Sequence, residues 1–407
     1  MEAIVDHVVV GLGLIGSAAT RHLANAGADV VGIGPAEPDD WESHNGPFAS
    51  HYDSGRVTRR LDARREWSIL ASRSIEQYGE IEQASNVDFH HATGLIFVRN
   101  DARGIANQEK VIAELELEIA VGAVDHEGHA ARQPDYLFPA GWTTLAESAP
   151  AGFIDPRKML QAQLLAAESA GARLRREGVE DVRPLQTGGW EVVTPTGTIA
   201  ARSVVLATGP YIQDLHGREL QACIRPESVI MGRISEAEAE RLRSMSSVIY
   251  LLDHPEIDDI YVVPPVRYPD GRYYIKMGGS NAYAPPLSSV EEKAAWMGGF
   301  GAEAHREVMT DVLTKVLPGV DFDSFEMKPC LITDTPSGLP YVDELDTGLF
   351  IAAGGNGHAG KSADAIGALA ARLLLSEGEW PDLELAEADF AAKFGAWIPP
   401  TGSRHGN

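Results

Sequence analysis

Residues 6–34, DHVVVGLGLIGSAATRHLANAGADVVGIG, restrict the N-terminal part of this chain more tightly than any other stretch. DHVVV reads as a short buried strand. It runs directly into Gly11, Gly13 and Gly16, spaced G-x-G-x-x-G, and then into a helix with Ala and Leu on one face. ADVVGIG is the next strand, so the unit is β-α-β. In such a unit the first glycine permits a tight turn and the second admits a pyrophosphate to the backbone. The third lets helix and strand pack closely, and the helix N-terminus faces the phosphates. The pattern predicts a dinucleotide site. An acid that binds ribose is expected at the end of the second strand, ~20 residues after the glycines. Gly34 stands there instead, and Glu37 follows Pro35. Either Glu37 reaches the ribose or the backbone supplies that hydrogen bond.

Further along, α/β and β-rich stretches alternate. A helix is expected over 64–78, where Trp67, Leu70 and Ala71 keep helical spacing. Residues 90–140 are mixed and contain the strand GLIFV. Asp155 and Pro156 open a helix that ends near Gly171, as a cap followed by a first-turn proline should. A strand pair with a Pro-Thr-Gly turn follows. Residues 223–280 alternate as strands do, 290–316 read as helix, and the chain closes with strand GLFIAAG, a glycine loop and helix SADAIGALAARLLL. These pieces predict an α/β (α+β two-domain) fold: a discontinuous Rossmann-like dinucleotide domain over 1–90, 146–218 and 326–400, and a β-sheet substrate domain over 91–145 and 219–325.

Apolar residues make up 44% of the 407, enough for a real core. Acidic residues outnumber basic ones 59 to 34, for a net charge of −25. That argues against nucleic acid or an anionic membrane as a partner. Two cysteines cannot build a disulfide framework. With no signal-like N-terminus and no membrane-length apolar run, a cytoplasmic protein is expected, as a monomer or small homo-oligomer. No metal site is suggested.

A second signature favours FAD over NAD, with an ordinary strand end as the alternative. VVLATGPY, residues 204–211, is a strand ending in Ala-Thr-Gly at Gly209, a feature many FAD enzymes carry and NAD dehydrogenases usually lack. Together with SHYDSGRVTR, GFIDPRKMLQA, IYVVPP, IKMGG, PCLITDTPSGLPYVD and IAAGGNGHAGKSADAIG, taken in order, it makes the chain resemble the FAD-dependent amine oxidases of the D-amino-acid-oxidase superfamily. The similarity is greatest to the monomeric sarcosine oxidase and N-methyltryptophan oxidase branch.

The resemblance implies a role for each matched residue. Cys330, in C-x-x-T-x-T-P, matches the cysteine that attaches covalently to the flavin; a buried hydrophobic cysteine is the alternative. Ser50 and His51 open the loop S-H-x-x-x-x-R-x-x-R. In it Arg56 matches an arginine beside the flavin, and Arg59 one that pairs with the substrate carboxylate. A guanidinium fork suits a carboxylate because it donates two parallel hydrogen bonds. Lys361 matches the second carboxylate partner. Gly355 and Gly357 bring backbone N–H groups to the ring, and His358 lies in the same loop. Lys276 matches the lysine that activates oxygen. A fixed cation at ~4 Å, with an effective dielectric of ~20, stabilises superoxide by ~4 kcal/mol, roughly a thousandfold in rate. Tyr261 matches a substrate-site tyrosine. Two positions depart from the branch: Ile332 replaces a common aromatic, and Ser280, followed by Asn281, replaces a histidine.

The resemblance therefore implies an FAD-dependent oxidase acting on a small anionic secondary-amine amino acid, with oxygen reduced to hydrogen peroxide. A fructosyl amino acid is the alternative substrate. A flavin dehydrogenase with another acceptor and a non-catalytic or NAD-binding module are the alternative classes.

Overall fold

The structure, a computed structural model, describes residues 4–397 apart from 42, 45, 132, 214, 216, 258 and 280–284. Its first strand, Val5–Val10, lies in the middle of a mixed sheet. It pairs in parallel with Val30–Ile33 on one side and Gly197–Leu206 on the other. Leu349–Ala353 continues the parallel order beyond Gly197–Leu206. Both faces are covered. Val8 and Val10 point into one apolar cluster and Val9 into another, which explains the unbroken valine run. Helix Leu14–Asn25 packs against Pro156–Ser169 and Ala359–Leu375 on one side of the sheet. Asp155 caps Pro156–Ser169 by accepting from the Lys158 amide at 3.1 Å.

A second sheet of eight strands supplies the opposite half of the molecule. Its order runs from Phe322–Asp334 through Cys223–Ile234, Tyr273–Gly279 and Ile260–Arg267, then to shorter strands ending at Ile119–Ala123. The expected segment edge at 325/326 falls inside Phe322–Asp334, which pairs along its length with Cys223–Ile234.

One expectation about elements differs from the structure. The single helix over 290–316 is two, Val290–Met297 and Arg306–Val316, separated by a stretch containing Gly298, Gly299 and Gly301. Glycine loses the most backbone freedom in a helix, so three in a short run end it. The mixed region holds a helix, Ala102–Glu114, capped by Asp101, whose side chain accepts from the Gly104 amide. Among the described residues no helix is long and apolar enough to cross a membrane.

Candidate active site

A cavity of about 1270 Å³ runs from the N-terminal glycine turn to the face of the second sheet. Gly11 and Gly13 line one end, at the start of helix Leu14–Asn25. Gly11 has φ +97°, a left-handed conformation that strains any residue with a Cβ. Gly16 is off the cavity, pressed against the Gly11 carbonyl, so the helix sits close on its strand. Gly34 also answers the missing ribose acid. A Cβ there would lie 2.5 Å from the Leu12 nitrogen, so the turn has no room for a side chain. Glu37 does not take over either. Both of its carboxylate oxygens accept from Arg157, at 2.7 and 2.6 Å, away from the cavity wall.

Ser50, His51 and Gly209 also line the cavity. His51 is buried, and burial pushes its imidazole down to about 3, helped by nearby Arg157, Arg176 and Arg56. It is therefore neutral at physiological pH.

The cysteines stand on one wall. Antiparallel pairing puts Glu227 opposite Cys330, Arg225 opposite Ile332, and Cys223 opposite Asp334. Because side chains alternate along a strand, these six share one face, and all six line the cavity. The Cys330 carbonyl accepts from the Trp296 indole at 3.0 Å, which anchors that strand. Arg56 lies 3.7 and 3.8 Å from the Cys330 sulfur through its two terminal nitrogens. Burial pushes the Cys223 thiol up, outweighing the pull of Arg225. Burial also pushes the Glu227 carboxyl up to about 7, against the pull of Arg225.

Two buried ion clusters grow from the loop that carries Arg56 and Arg59. In the first, Asp53 accepts from Lys276 at 2.5 Å, Arg56 at 2.9 Å and the Tyr268 hydroxyl at 2.8 Å. Burial alone would raise this carboxyl, but Lys276 and Arg56 hold it below the ordinary carboxylate range. The Lys276 ammonium also donates to the Gly55 carbonyl, and burial holds its pKa below the usual lysine value despite Asp53. Tyr261 lines the cavity and its ring centroid lies 5.4 Å from the Lys276 nitrogen, whereas Lys276 itself is off the wall. The lysine expected beside the flavin thus sits one layer behind the cavity surface.

In the second cluster, one oxygen of Asp62 meets three nitrogens. Arg59 is at 3.0 Å, Lys361 at 2.9 Å and His358 Nδ1 at 3.1 Å. All four residues line the cavity. Burial pulls Lys361 down to about 8 and also lowers His358, outweighing the attraction of Asp62. The Asp62 carboxyl, which burial would raise, is held well below its usual range by Lys361, His358 and Arg59. His358 stacks on Trp67 with centroids 4.7 Å apart, which fixes its plane.

Neither aspartate is prominent in the sequence. Asp62 is the one acid in the stretch from Ser54 to Arg65, which holds five arginines. That imbalance is the available signal. The neighbouring arginines are structural: Arg60 pairs with buried Glu147 at 3.0 Å, Arg64 donates to the Ser337 carbonyl, and Arg65 donates to the Glu384 carbonyl at 2.9 Å. Ser280 and Asn281 lie outside the described residues. Among the described residues no group of acids, histidines and cysteines could hold a metal ion.

The model of the family described as FAD dependent oxidoreductase matches residues 6–373. The chain belongs to that family. Monomeric sarcosine oxidase of Streptomyces avermitilis is 23% identical over 386 residues, covering 92% of this chain and 95% of that one. The solved structure of NikD, an amino acid oxidase of nikkomycin biosynthesis, superposes with a TM-score of 0.74 at 20% identity, covering 96% and 98% of the two chains. Fructosyl amine:oxygen oxidoreductase of Aspergillus fumigatus gives 0.64 at 16% identity, covering 93% and 88%. As a member of this family the chain is an FAD-dependent oxidoreductase with the two-domain FAD-binding fold. Its own residues fit the cofactor: a strained glycine turn at a helix N-terminus, a long cavity, and a second glycine loop at Gly354–Gly357 along the wall.

Proposed function

We propose that this chain oxidises the C–N bond of an N-substituted amino acid and passes the electrons to oxygen, releasing hydrogen peroxide. The observation that carries the reading is the placement of Arg59, Lys361 and Cys330 around one cavity that begins at the dinucleotide turn. FAD, when bound, accepts a hydride equivalent from the carbon beside the substrate nitrogen and hands two electrons to the acceptor. Arg59 and Lys361 orient the substrate through its carboxyl group. Tyr261, whose hydroxyl burial holds above the ordinary tyrosine range, stays protonated and bounds the pocket. Arg56 keeps a positive charge at the wall beside Cys330, the proposed covalent anchor of the cofactor. The oxidised product is an imine, and water hydrolyses it to a carbonyl compound and an amine.

The position of Lys276 favours a second reading, a dehydrogenase using another acceptor. Its charge is compensated by Asp53 and stands behind the wall. One measurement separates these readings, and a second tests the covalent anchor. A panel of N-methyl, cyclic and fructosyl amino acids should release peroxide in proportion to oxygen consumed; turnover that needs an artificial acceptor and ignores oxygen would select the dehydrogenase. Acid precipitation should leave a yellow pellet that is lost in Cys330→Ala and kept in Cys223→Ala. A white pellet from the unaltered protein would remove the covalent link.

A further inference from the structure

The cavity continues past the residues assigned to chemistry, onto one face of the second sheet. Three neighbouring strands place Tyr261, Ile249 and Phe97 directly opposite one another, and all three line the cavity. The Arg59 guanidinium lies over the Phe97 ring, 5.3 Å from its centroid, so this apolar floor begins at the proposed carboxylate partner. Side chains alternate along a strand, so Arg99 shares the face of Phe97 and lies about 7 Å further on. Arg99 is buried, and its charge is met by both oxygens of Asp101, each at 2.7 Å. Its remaining terminal nitrogen donates to the Gln108 side-chain oxygen at 2.8 Å. That bond fixes which end of the Gln108 amide is which. The other end, Nε2, is buried and has no hydrogen-bond partner among the described residues, although Gln108 borders the cavity. Arg103, Gly104 and Asn107 border it too, and they share one face of helix Ala102–Glu114 with Gln108. Gly104 lets that helix close onto Arg99: a Cβ there would fall 1.6 Å from the Arg99 Nη2.

We infer that Gln108 binds substrate, and that the substrate carries, beyond its amino acid core, an apolar substituent ending in an oxygen acceptor. This rests on the proposal that Arg59 holds the substrate carboxylate, and it narrows the substrate class within that proposal. The floor from Tyr261 through Phe97 and Ile249 to Leu251 gives the substituent apolar contact. Gln108 Nε2 gives it one hydrogen bond at the far end. A chain of roughly five atoms spans the distance. A buried donor left unpaired is unfavourable, so an ether, hydroxyl or carbonyl oxygen there gains what a methylene cannot. Gln108 is thus a specificity-determining residue, whether the substituent rides on the substrate nitrogen or on its carbon skeleton.

Two pairs of compounds, each pair differing by one ether oxygen in place of a methylene, test this. N-(2-methoxyethyl)glycine and N-butylglycine carry the group on nitrogen. N-methyl-O-methylhomoserine and N-methylnorleucine carry it on the α-carbon, and each of these is used as both enantiomers. Every compound is mixed without oxygen with the flavin-loaded protein. Bleaching of the flavin is followed against concentration, so that half-saturation gives the affinity. In at least one pair the ether should bind about tenfold more tightly than its alkyl partner, and the pair that shows it tells where the substituent sits. Gln108→Glu keeps an oxygen for Arg99 and replaces the donor with an acceptor, so the preference should vanish. Alkyl members that bind as well as the ethers in both pairs would overturn the inference, whether or not the variant folds. An unchanged preference in a folded Gln108→Glu would also overturn it. So would bleaching by N-methylglycine but by none of the longer compounds, an outcome that spares the proposed function. If no N-substituted amino acid bleaches the flavin, the proposed function and this inference fall together.

Discussion

Asp53 and Asp62 stand in the same loop region, and each pairs with an arginine three residues away and with a lysine from a distant part of the chain. Their local chemistry is nearly the same. Their positions are not: Asp62 and its partners face the cavity, while Asp53 and Lys276 lie behind its wall. A buried ion cluster closed off from ligand can act through stability and through the orientation of what it holds. One that faces ligand also decides which charge may enter. The difference comes from which layer of side chains each acid occupies.

The largest expected effect tests the closed cluster. Asp53→Asn leaves Lys276 buried with its countercharge removed, which should cost about 3–5 kcal/mol of stability. Chemical denaturation at neutral pH measures it. The folded protein would then bind the Lys276 proton less tightly than the unfolded chain does, so the cost should be greatest at low pH and shrink as pH rises. A cost below about 1 kcal/mol would mean that Asp53 is not what holds Lys276 in place.

Lys361 sharpens the comparison from the open side. Its pKa in the folded chain is about 8, below the usual lysine value. Between those two pH values the unfolded chain carries the extra proton, so this residue makes stability rise with pH across that window. The rise is about 1.4 kcal/mol for each pH unit by which burial displaces the group. Lys361→Met should abolish that component, seen as a flatter stability profile above pH 8. An unchanged slope would place the titration elsewhere.

Asp62→Asn should have the smallest effect on stability, about 1–3 kcal/mol, because the cations it releases line the cavity rather than lying behind its wall. If this variant lost more stability than Asp53→Asn, the distinction between an open and a closed cluster would fail.

What could be read from the chain before its structure follows the range of the interactions involved. The N-terminal β-α-β unit, the Asp155 cap and the strand ending at Gly209 depend on neighbours a few residues away, and all were legible. So were Arg56, Arg59, Cys330 and Lys361 as cavity residues, through the resemblance. The role of Glu37 was not, because Arg157 claims it from a helix far along the chain. Asp53 and Asp62 escaped notice for the same reason: their partners at 276 and 361 come from other strands and helices. Lys276 was correctly placed on a strand, but which layer its nitrogen occupies depends on packing that local pattern does not encode.

The wall that carries Cys330 also has a consequence for the order of events in the life of the protein. Cys330 reaches Arg56 across a separation of 274 residues, and the strand that presents it is held by Cys223–Ile234 and by Trp296. No partial chain ending before this strand can place a thiol beside that guanidinium. Cofactor attachment at this position would therefore come after synthesis is nearly complete and the two ends of the molecule have met. If the flavin is attached there, the fraction of molecules bearing it would be a chemical record of how many chains finished folding, readable long after the folding itself is over.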